Sequence, residues 1–479
     1  MLSVELHLER GEYLPQEEIE FRVRIANGTG GAVRLRDPAL AIAVQPAFRL
    51  TGPSCPDGRV FSQRTLSGIE TGPDREIEIA AGADHEHTIS LRPLGALQPG
   101  EYRLDASLEI AGATAHAPTQ SFWIRPMTIA SIDLGFGTGG DTPQGLGAFL
   151  HRGENDRVLF TFAWMEDSPE IDEATVQPPL HRLLTGPDAT DVRIPRPNAG
   201  FFDELLQWVV WREGKTVKGL HTAALEPVAV DLPVEAALLV HSAVEPEGGT
   251  IEVLALADDG RELHLVQFAG GAGTETARLA GKATLPAKTP GALETPGVCL
   301  TTALSPRDAG STRHVAAVIP HDDGLEILHA VWDGNGTFGP FASARAAGRM
   351  FDNAPPAARV DVDGNVRVGV LGMLDDTRCA LIEVDFPPSG SPTAPREQRL
   401  GELSDKPLGG AVLYRGDKDW TAVILLDQNR MLQAGPAQEL APVALPGAPT
   451  MPLLLVPGEQ RTYFLYVNAT GCLELQPLY

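Results

Sequence analysis

After residue 126 the chain states one short phrase seven times: an apolar run, a tight polar turn, a second apolar run, another turn, and a third, more polar run. The turns between the first and second runs are Gly153-Glu154-Asn155-Asp156, Asp203-Glu204, Glu247-Gly248-Gly249, Arg307-Asp308-Ala309-Gly310, Asp363-Gly364-Asn365, Gly416-Asp417-Lys418-Asp419 and Pro457-Gly458-Glu459-Gln460. They recur at roughly 40 to 60 residues, the range of a propeller blade or solenoid repeat and not the pattern of one large sandwich.

The second run of each repeat is the more apolar one, as in Val158-Leu159-Phe160-Thr161-Phe162-Ala163-Trp164 or His314-Val315-Ala316-Ala317-Val318-Ile319. Runs of this kind are strands covered on both faces, and in a propeller the neighbouring blades supply that cover. The last repeat ends after a third strand, while Thr128-Ile129-Ala130-Ser131-Ile132-Asp133-Leu134 stands ahead of the first with no blade of its own. Joining these two leftovers removes both exposed edges. The expectation is an all-β chain in which residues 127–479 form a seven-bladed β-propeller, its ring closed by strand 128–134 pairing with the C-terminal blade. A six-bladed ring is the runner-up, because residues 168–190 and 270–296 read as irregular. The first of these segments, with Glu166, Asp167, Glu170, Asp172 and Glu173 at its start, reads as an acidic, solvated insertion. Only residues 201–211 and 437–440 are helical candidates, since Gly and Pro interrupt almost everything else.

Residues 1–125 carry strand-like stretches at 4–8, 18–26, 33–35, 48–51, 76–80, 87–91, 102–110 and 121–124. In Ile19-Glu20-Phe21-Arg22-Val23-Arg24-Ile25 the apolar side chains share one face, as a half-buried antiparallel strand requires. About eight such strands with turns between them read as a two-sheet sandwich. The phrases Tyr13-Leu14-Pro15-Gln16-Glu17, Ala26-Asn27-Gly28-Thr29 and Leu97-Gln98-Pro99-Gly100-Glu101-Tyr102 resemble bacterial immunoglobulin-like accessory domains. That resemblance implies a surface for partners or a spacer.

The balance of 38 Lys+Arg against 63 Asp+Glu gives a formal charge of −25. Such a field repels phosphate backbones and anionic headgroups, so nucleic acid is disfavoured as a partner. No run reaches the ~18 apolar residues of a membrane span, and membrane insertion is not expected. The first ten residues alternate apolar and polar side chains and lack the pattern of a secretory leader, so a cytoplasmic location is expected. Release within a particle by another route stays open on this reading. Cys55, Cys299, Cys379 and Cys472 are scattered without a zinc or redox spacing and read as reduced thiols.

Candidate chemistry is sparse. His85 and His87 project to one face of a strand and could offer two imidazoles to a metal, but no third ligand is evident, so an exposed polar strand edge is the reading. Asp361-Val362-Asp363-Gly364-Asn365 has a calcium-loop look, yet the same residues make a tight hairpin turn. Gly135-Phe136-Gly137-Thr138-Gly139-Gly140 follows a strand with no helix after it to present amides to phosphate. No serine elbow, zincin helix or phosphate-binding loop is present, and no cofactor or catalytic residue is expected.

The stretch from Leu325 to Phe341, with its Trp332-Asp333-Gly334 turn and the trailing Phe338 and Phe341, resembles a blade of the tectonin-like and bacterial fucose-lectin propellers. Asp258-Asp259-Gly260-Arg261 and the strand after it echo the same blade. The resemblance implies a sugar stacked on Trp332, Phe338 and Phe341 between blades, whereas Trp332 by itself reads as a core side chain sooner than as a platform. The function expected first is a non-enzymatic scaffold for protein partners, such as a component of a bacterial or phage assembly. The alternatives are a carbohydrate-binding propeller with a glycan as partner and, third, a hydrolase with carboxylates in the axial channel.

Overall fold

Period-two alternation sets the local structure throughout, and every regular element among the described residues is a β-strand. The structure, a computed structural model, describes residues 2–478 except 37–46, 62–75, 92–96, 111–112, 137–144, 169–170, 196–207, 245–249, 258–259, 272, 287–299, 305–311, 333–336, 352, 406, 416–418, 428–429, 437, 444–449, 458–461 and 469–470. Two compact units emerge, one of residues 1–128 with 177–180 and 469–473, the other of 129–176, 181–468 and 474–479.

In the first unit Glu20–Asn27 lies between Leu2–Leu8 and Asp84–Ser90 in one antiparallel sheet. A larger sheet runs in the order Glu12–Tyr13, Gln120–Ile124, Gly100–Ile110, Ala47–Gly52 and Cys55–Phe61, with Ala113–His116 on Gly100–Ile110. Val33–Arg36 and Glu76–Ile79 form a separate pair. Phe21, Val23 and Ile25 from the first sheet share one core with Phe48, Leu50, Tyr102, Leu104 and Phe122 from the second. Burying each of these large side chains contributes about 1.5–3 kcal/mol, which is what holds two amphipathic sheets face to face.

Among the described residues the second unit is a succession of seven antiparallel sheets. The first contains Ile129–Phe136, Gly145–Arg152, Arg157–Ser168 and Ile171–Thr185; the second Ala189–Arg193, Trp208–Glu213, Thr216–His221 and Val228–Asp231. The third contains Ala236–Val244, Ile251–Ala257, Glu262–Ala269 and Thr276–Thr284; the fourth Leu300–Leu304, Arg313–His321, Gly324–Trp332 and Ala342–Ala346. In the fifth, Arg349–Met350 and Ala357–Val360 both pair with Val366–Met373, followed by Arg378–Phe386 and Arg396–Glu402. The sixth holds Gly409–Arg415, Asp419–Asp427, Arg430–Gly435 and Gln438–Val443, and the seventh Thr450–Pro457, Thr462–Val467 and Leu473–Leu478.

The leading strand of each sheet neighbours the leading strand of the next, and Ile129–Phe136 neighbours Thr450–Pro457, so the succession returns on itself in the manner of a propeller. Each seam is a core of its own. Along Arg313–His321, Val315, Ala317 and Ile319 pack toward the third sheet, whereas Ala316 and Val318 pack toward the fifth. Both faces of the strand are therefore apolar, which is why the second runs read as continuous hydrophobic stretches. Trp164 of the first sheet meets Tyr463 of the seventh with ring centroids 6.5 Å apart.

Several sequence expectations need correction. Strand 128–134 is not stitched to the C-terminal sheet: Ile129–Phe136 is the leading strand of the first sheet and pairs with Gly145–Arg152. On its other side Gly145–Arg152 pairs with Arg157–Ser168, where a Cβ on Gly145 would sit 1.9 Å from the Trp164 indole and one on Gly147 2.1 Å from the Phe162 ring. Gly145–Arg152 lies between Ile129–Phe136 and Arg157–Ser168, and residues 137–140 of the glycine-rich motif lie outside the described residues. The supposed acidic insertion is a long hairpin, Arg157–Ser168 with Ile171–Thr185. Of the irregular stretch 270–296, Thr276–Thr284 is a strand, and residues 287–296 lie outside the described residues. Of the helical candidates, residues 208–211 lie in the strand Trp208–Glu213 and residues 438–440 in the strand Gln438–Val443, while residues 201–207 and 437 lie outside the described residues.

Candidate functional site

Trp332 closes the strand Gly324–Trp332 and bridges to Phe338, whose ring lies 5.9 Å from it. Only 1% of Trp332 is exposed, and its indole N–H donates 3.1 Å to Glu252 Oε2. Glu252 Oε1 accepts from Gln267 Nε2 at 2.6 Å, and Arg313 Nε lies 2.5 Å from Glu252 Oε2. Glu252 and Arg313 are both buried. A carboxylate, a guanidinium, an amide and an indole from the third and fourth sheets thus satisfy one another in the seam between them.

Phe338 and Phe341 are half-buried and pack against the apolar side of the same seam. The structure brings the three aromatics predicted from sequence together, but it spends the Trp332 ring on the core. That burial agrees with the reading of Trp332 as a core side chain and leaves no indole face open for the pyranose that the lectin resemblance implies. The Asp333-Gly334 turn lies outside the described residues.

On the opposite face of the fourth sheet His314 and His329 stack with centroids 5.2 Å apart and their ring nitrogens in a 3.0 Å hydrogen bond. Phe386 of the fifth sheet covers His329 at 5.1 Å. Burial pushes His314 down to about 3, with His329 beside it as a second cause, and pushes His329 down to about 4. Two neutral imidazoles, one donating and one accepting, hold this seam.

A third cluster joins the fifth and sixth sheets. Tyr414 Oη donates 2.9 Å to Glu383, Arg367 Nε lies 2.8 Å from Asp385, and Arg396 lies 2.8 Å from the other Asp385 oxygen. Burial, followed by the Glu383 charge, raises the Tyr414 hydroxyl well above the ordinary phenol range, so it stays protonated and donates.

The remaining motifs resolve into local structure. His85 and His87 lie on Asp84–Ser90, an edge strand of its sheet, opposite Ile25 and Val23, but they are half-buried with rings 5.6 Å apart and not exposed. Among the described residues no three or more His, Cys, Asp or Glu side chains gather in a way that could hold a metal. Asp361 Oδ1 accepts from the backbone of Asp363 and Asn365, and Oδ2 from the Asn365 amide, with Gly364 at φ +80. The side-chain oxygens are committed to a hairpin turn.

The most exposed recognition chemistry lies in the first unit, on the outward face of its larger sheet. Along Gln120–Ile124, Phe122 and Ile124 point into the core, so Trp123 points out and is 46% exposed. The other five of the six tryptophans are buried. Glu12 and Glu101 are the register partners of Trp123 on its two neighbouring strands. The Arg125 guanidinium sits 5.5 Å from the indole centroid and is ion-paired to Glu12, while Arg103 lies 3.7 Å from Glu101. Sequence reading passed over Trp123 because Phe122-Trp123-Ile124 looks like one apolar run. The signal that identifies it is the strict alternation begun by Tyr102 and Leu104 on the paired strand.

No family model and no curated protein matches this sequence. Among solved structures the chain is similar to BBS1N in complex with ARL6DN, at 12% identity and a TM-score of 0.38, covering 72% of this chain and 94% of that one. It is similar to the Nup133 β-propeller domain of Vanderwaltozyma polyspora, at 10% identity and a TM-score of 0.33, covering 72% and 91%. It is also similar to Synechocystis apocarotenoid oxygenase, at 11% identity and a TM-score of 0.37, covering 94% and 91%. At these scores the likenesses carry no argument about activity or partner. Among the described residues no helix is long and apolar enough to cross a membrane.

Proposed function

We propose that this protein is a non-enzymatic scaffold for protein–protein interaction, with an immunoglobulin-like sandwich at residues 1–125 and a seven-bladed propeller from residue 127 onward. The observation that carries the reading is Trp123, exposed on the outward face of the larger sheet, one strand in from its edge, while its five counterparts are buried. Tryptophan and arginine are the side chains enriched at protein interfaces, and Trp123 stands among Arg103 and Arg125. The ionic clusters of the second unit support the same reading, since Glu252, Arg313, Glu383 and Tyr414 are engaged with one another across seams. A structural or accessory place in a bacterial or phage assembly is the concrete form this function takes.

Purification of the tagged protein from its native source tests the proposal. A companion protein in fixed stoichiometry is expected, and recovery of the chain alone from gentle and cross-linked preparations alike would overturn it. Titration with monosaccharides addresses the carbohydrate alternative on Phe338 and Phe341: no change in the fluorescence of the adjoining Trp332 is expected.

A further inference from the structure

Trp123 has a carboxylate on each side. Glu12 faces it from the parallel strand Glu12–Tyr13 and Glu101 from the antiparallel strand Gly100–Ile110, so the three side chains form one row across the sheet. An indole face attracts cations through its quadrupole, and flanking carboxylates add direct charge attraction. The molecule already displays the geometry, because Arg125 lies over the indole while bound to Glu12. At the other end of the row Glu101 is 41% exposed and only loosely approached by Arg103, at 3.7 Å. The field of a chain with a formal charge of −25 draws basic partners toward its surface and turns acidic ones, including a second copy of itself, away.

We infer that the row Glu12, Trp123, Glu101 is the docking site for a basic segment of a partner protein, one of whose arginine or lysine side chains stacks on Trp123 and meets Glu101. This inference rests on the scaffold reading and names the chemistry of the partner. The seat is an exposed sheet face with a single aromatic anchor, so an extended segment crossing the strands fits it. Trp123 supplies the local contact and the net charge supplies the approach.

The test uses the full chain and a short synthetic peptide alternating arginine with glycine, followed by isothermal titration at low and physiological salt. Trp123→Ser leaves the net charge untouched, so it separates stacking from bulk attraction. Binding is expected to weaken about fivefold or more in Trp123→Ser and Glu101→Gln and to be retained in Trp123→Phe, with unchanged circular dichroism. Equal affinity of Trp123→Ser and the parent, a peptide that does not bind the parent, or concentration-dependent dimerisation through this face would each overturn the inference. Companion recovery with the parent and with Trp123→Ser keeps the two readings apart. A companion held equally by both sinks the docking site and leaves the scaffold standing, whereas no companion with either sinks the scaffold.

Discussion

The indole N–H of Trp332 and the carboxylate of Glu252 meet 3.1 Å apart across the seam between the third and fourth sheets, and 80 residues of chain separate them. Trp332 belongs to the last residues of its strand and Glu252 to the first of its own, so the bond ties two sheets at their corresponding ends. With Arg313 and Gln267 on the same carboxylate, every charge in this seam has a partner of opposite sign or a donor.

Removing one member should cost more than removing the ionic pair. Glu252→Gln leaves the Arg313 guanidinium buried beside a neutral amide, and a loss of about 3–5 kcal/mol is expected. Arg313→Met should cost a similar amount by stranding the carboxylate. The double substitution should cost clearly less than the sum of the two, because neither charge remains. Urea denaturation midpoints of the four proteins check this.

The His314 and His329 pair makes stability depend on pH in a defined direction. The folded pKa values are about 3 and about 4 against 6.5 for a free imidazole, with burial the leading cause for both. Between those limits the unfolded chain binds protons that the folded chain refuses. The contribution is therefore complete above about pH 6.5 and is lost as pH falls toward 4, at up to ~1.4 kcal/mol per pH unit for each ring. Denaturation midpoints followed across that range should show the slope, and His329→Phe should reduce it.

Gly369 is a requirement of Tyr414. A Cβ there would sit 2.0 Å from Tyr414 Oη, the hydroxyl that donates to Glu383. Gly369→Ala should therefore displace the phenol and cost about 1–3 kcal/mol. Tyr414→Phe alone should cost about 1–3 kcal/mol by leaving Glu383 short of a donor. The combination should be less than additive, since loss of the hydroxyl removes the 2.0 Å clash and leaves the ring carbon at 3.0 Å as the nearest atom of that ring. Thermal unfolding of the three variants measures the coupling.

Trp123 should report on solvent separately from its counterparts. With Trp164, Trp208, Trp211, Trp332 and Trp420 buried, the acrylamide-quenchable fraction of the emission should vanish in Trp123→Phe. The substitution should move the unfolding midpoint by no more than ~0.5 kcal/mol, as expected for an exposed site.

Much of the architecture was legible because strand physics is local. Ile19 to Ile25 alternates in sequence and in burial alike, and the second runs read as doubly covered strands because both of their faces are covered. Where the reading failed, the deciding partner lay elsewhere in the chain. Ile129–Phe136 looked like a leftover because its true neighbour, Gly145–Arg152, carries glycines whose value shows only against Trp164 and Phe162. The hairpin strand Ile171–Thr185 was hidden by acids at its start and by Pro178 and Pro179. Trp332 read as a core side chain, but nothing near it in sequence reveals the carboxylate of Glu252 that accepts from its N–H.

By itself the sequence determined the all-β class of the chain and, in half-buried strands such as Glu20–Asn27, the side that meets the core, both of which follow from the two-residue period of a pleated strand. Tertiary structure alone decided which strand leads the first sheet, that Glu252 accepts from the Trp332 N–H and that Trp123 is exposed. These outcomes depend on hydrogen bonds and contacts between residues distant in the chain, and side-chain period holds no information about which distant partner fills a seam.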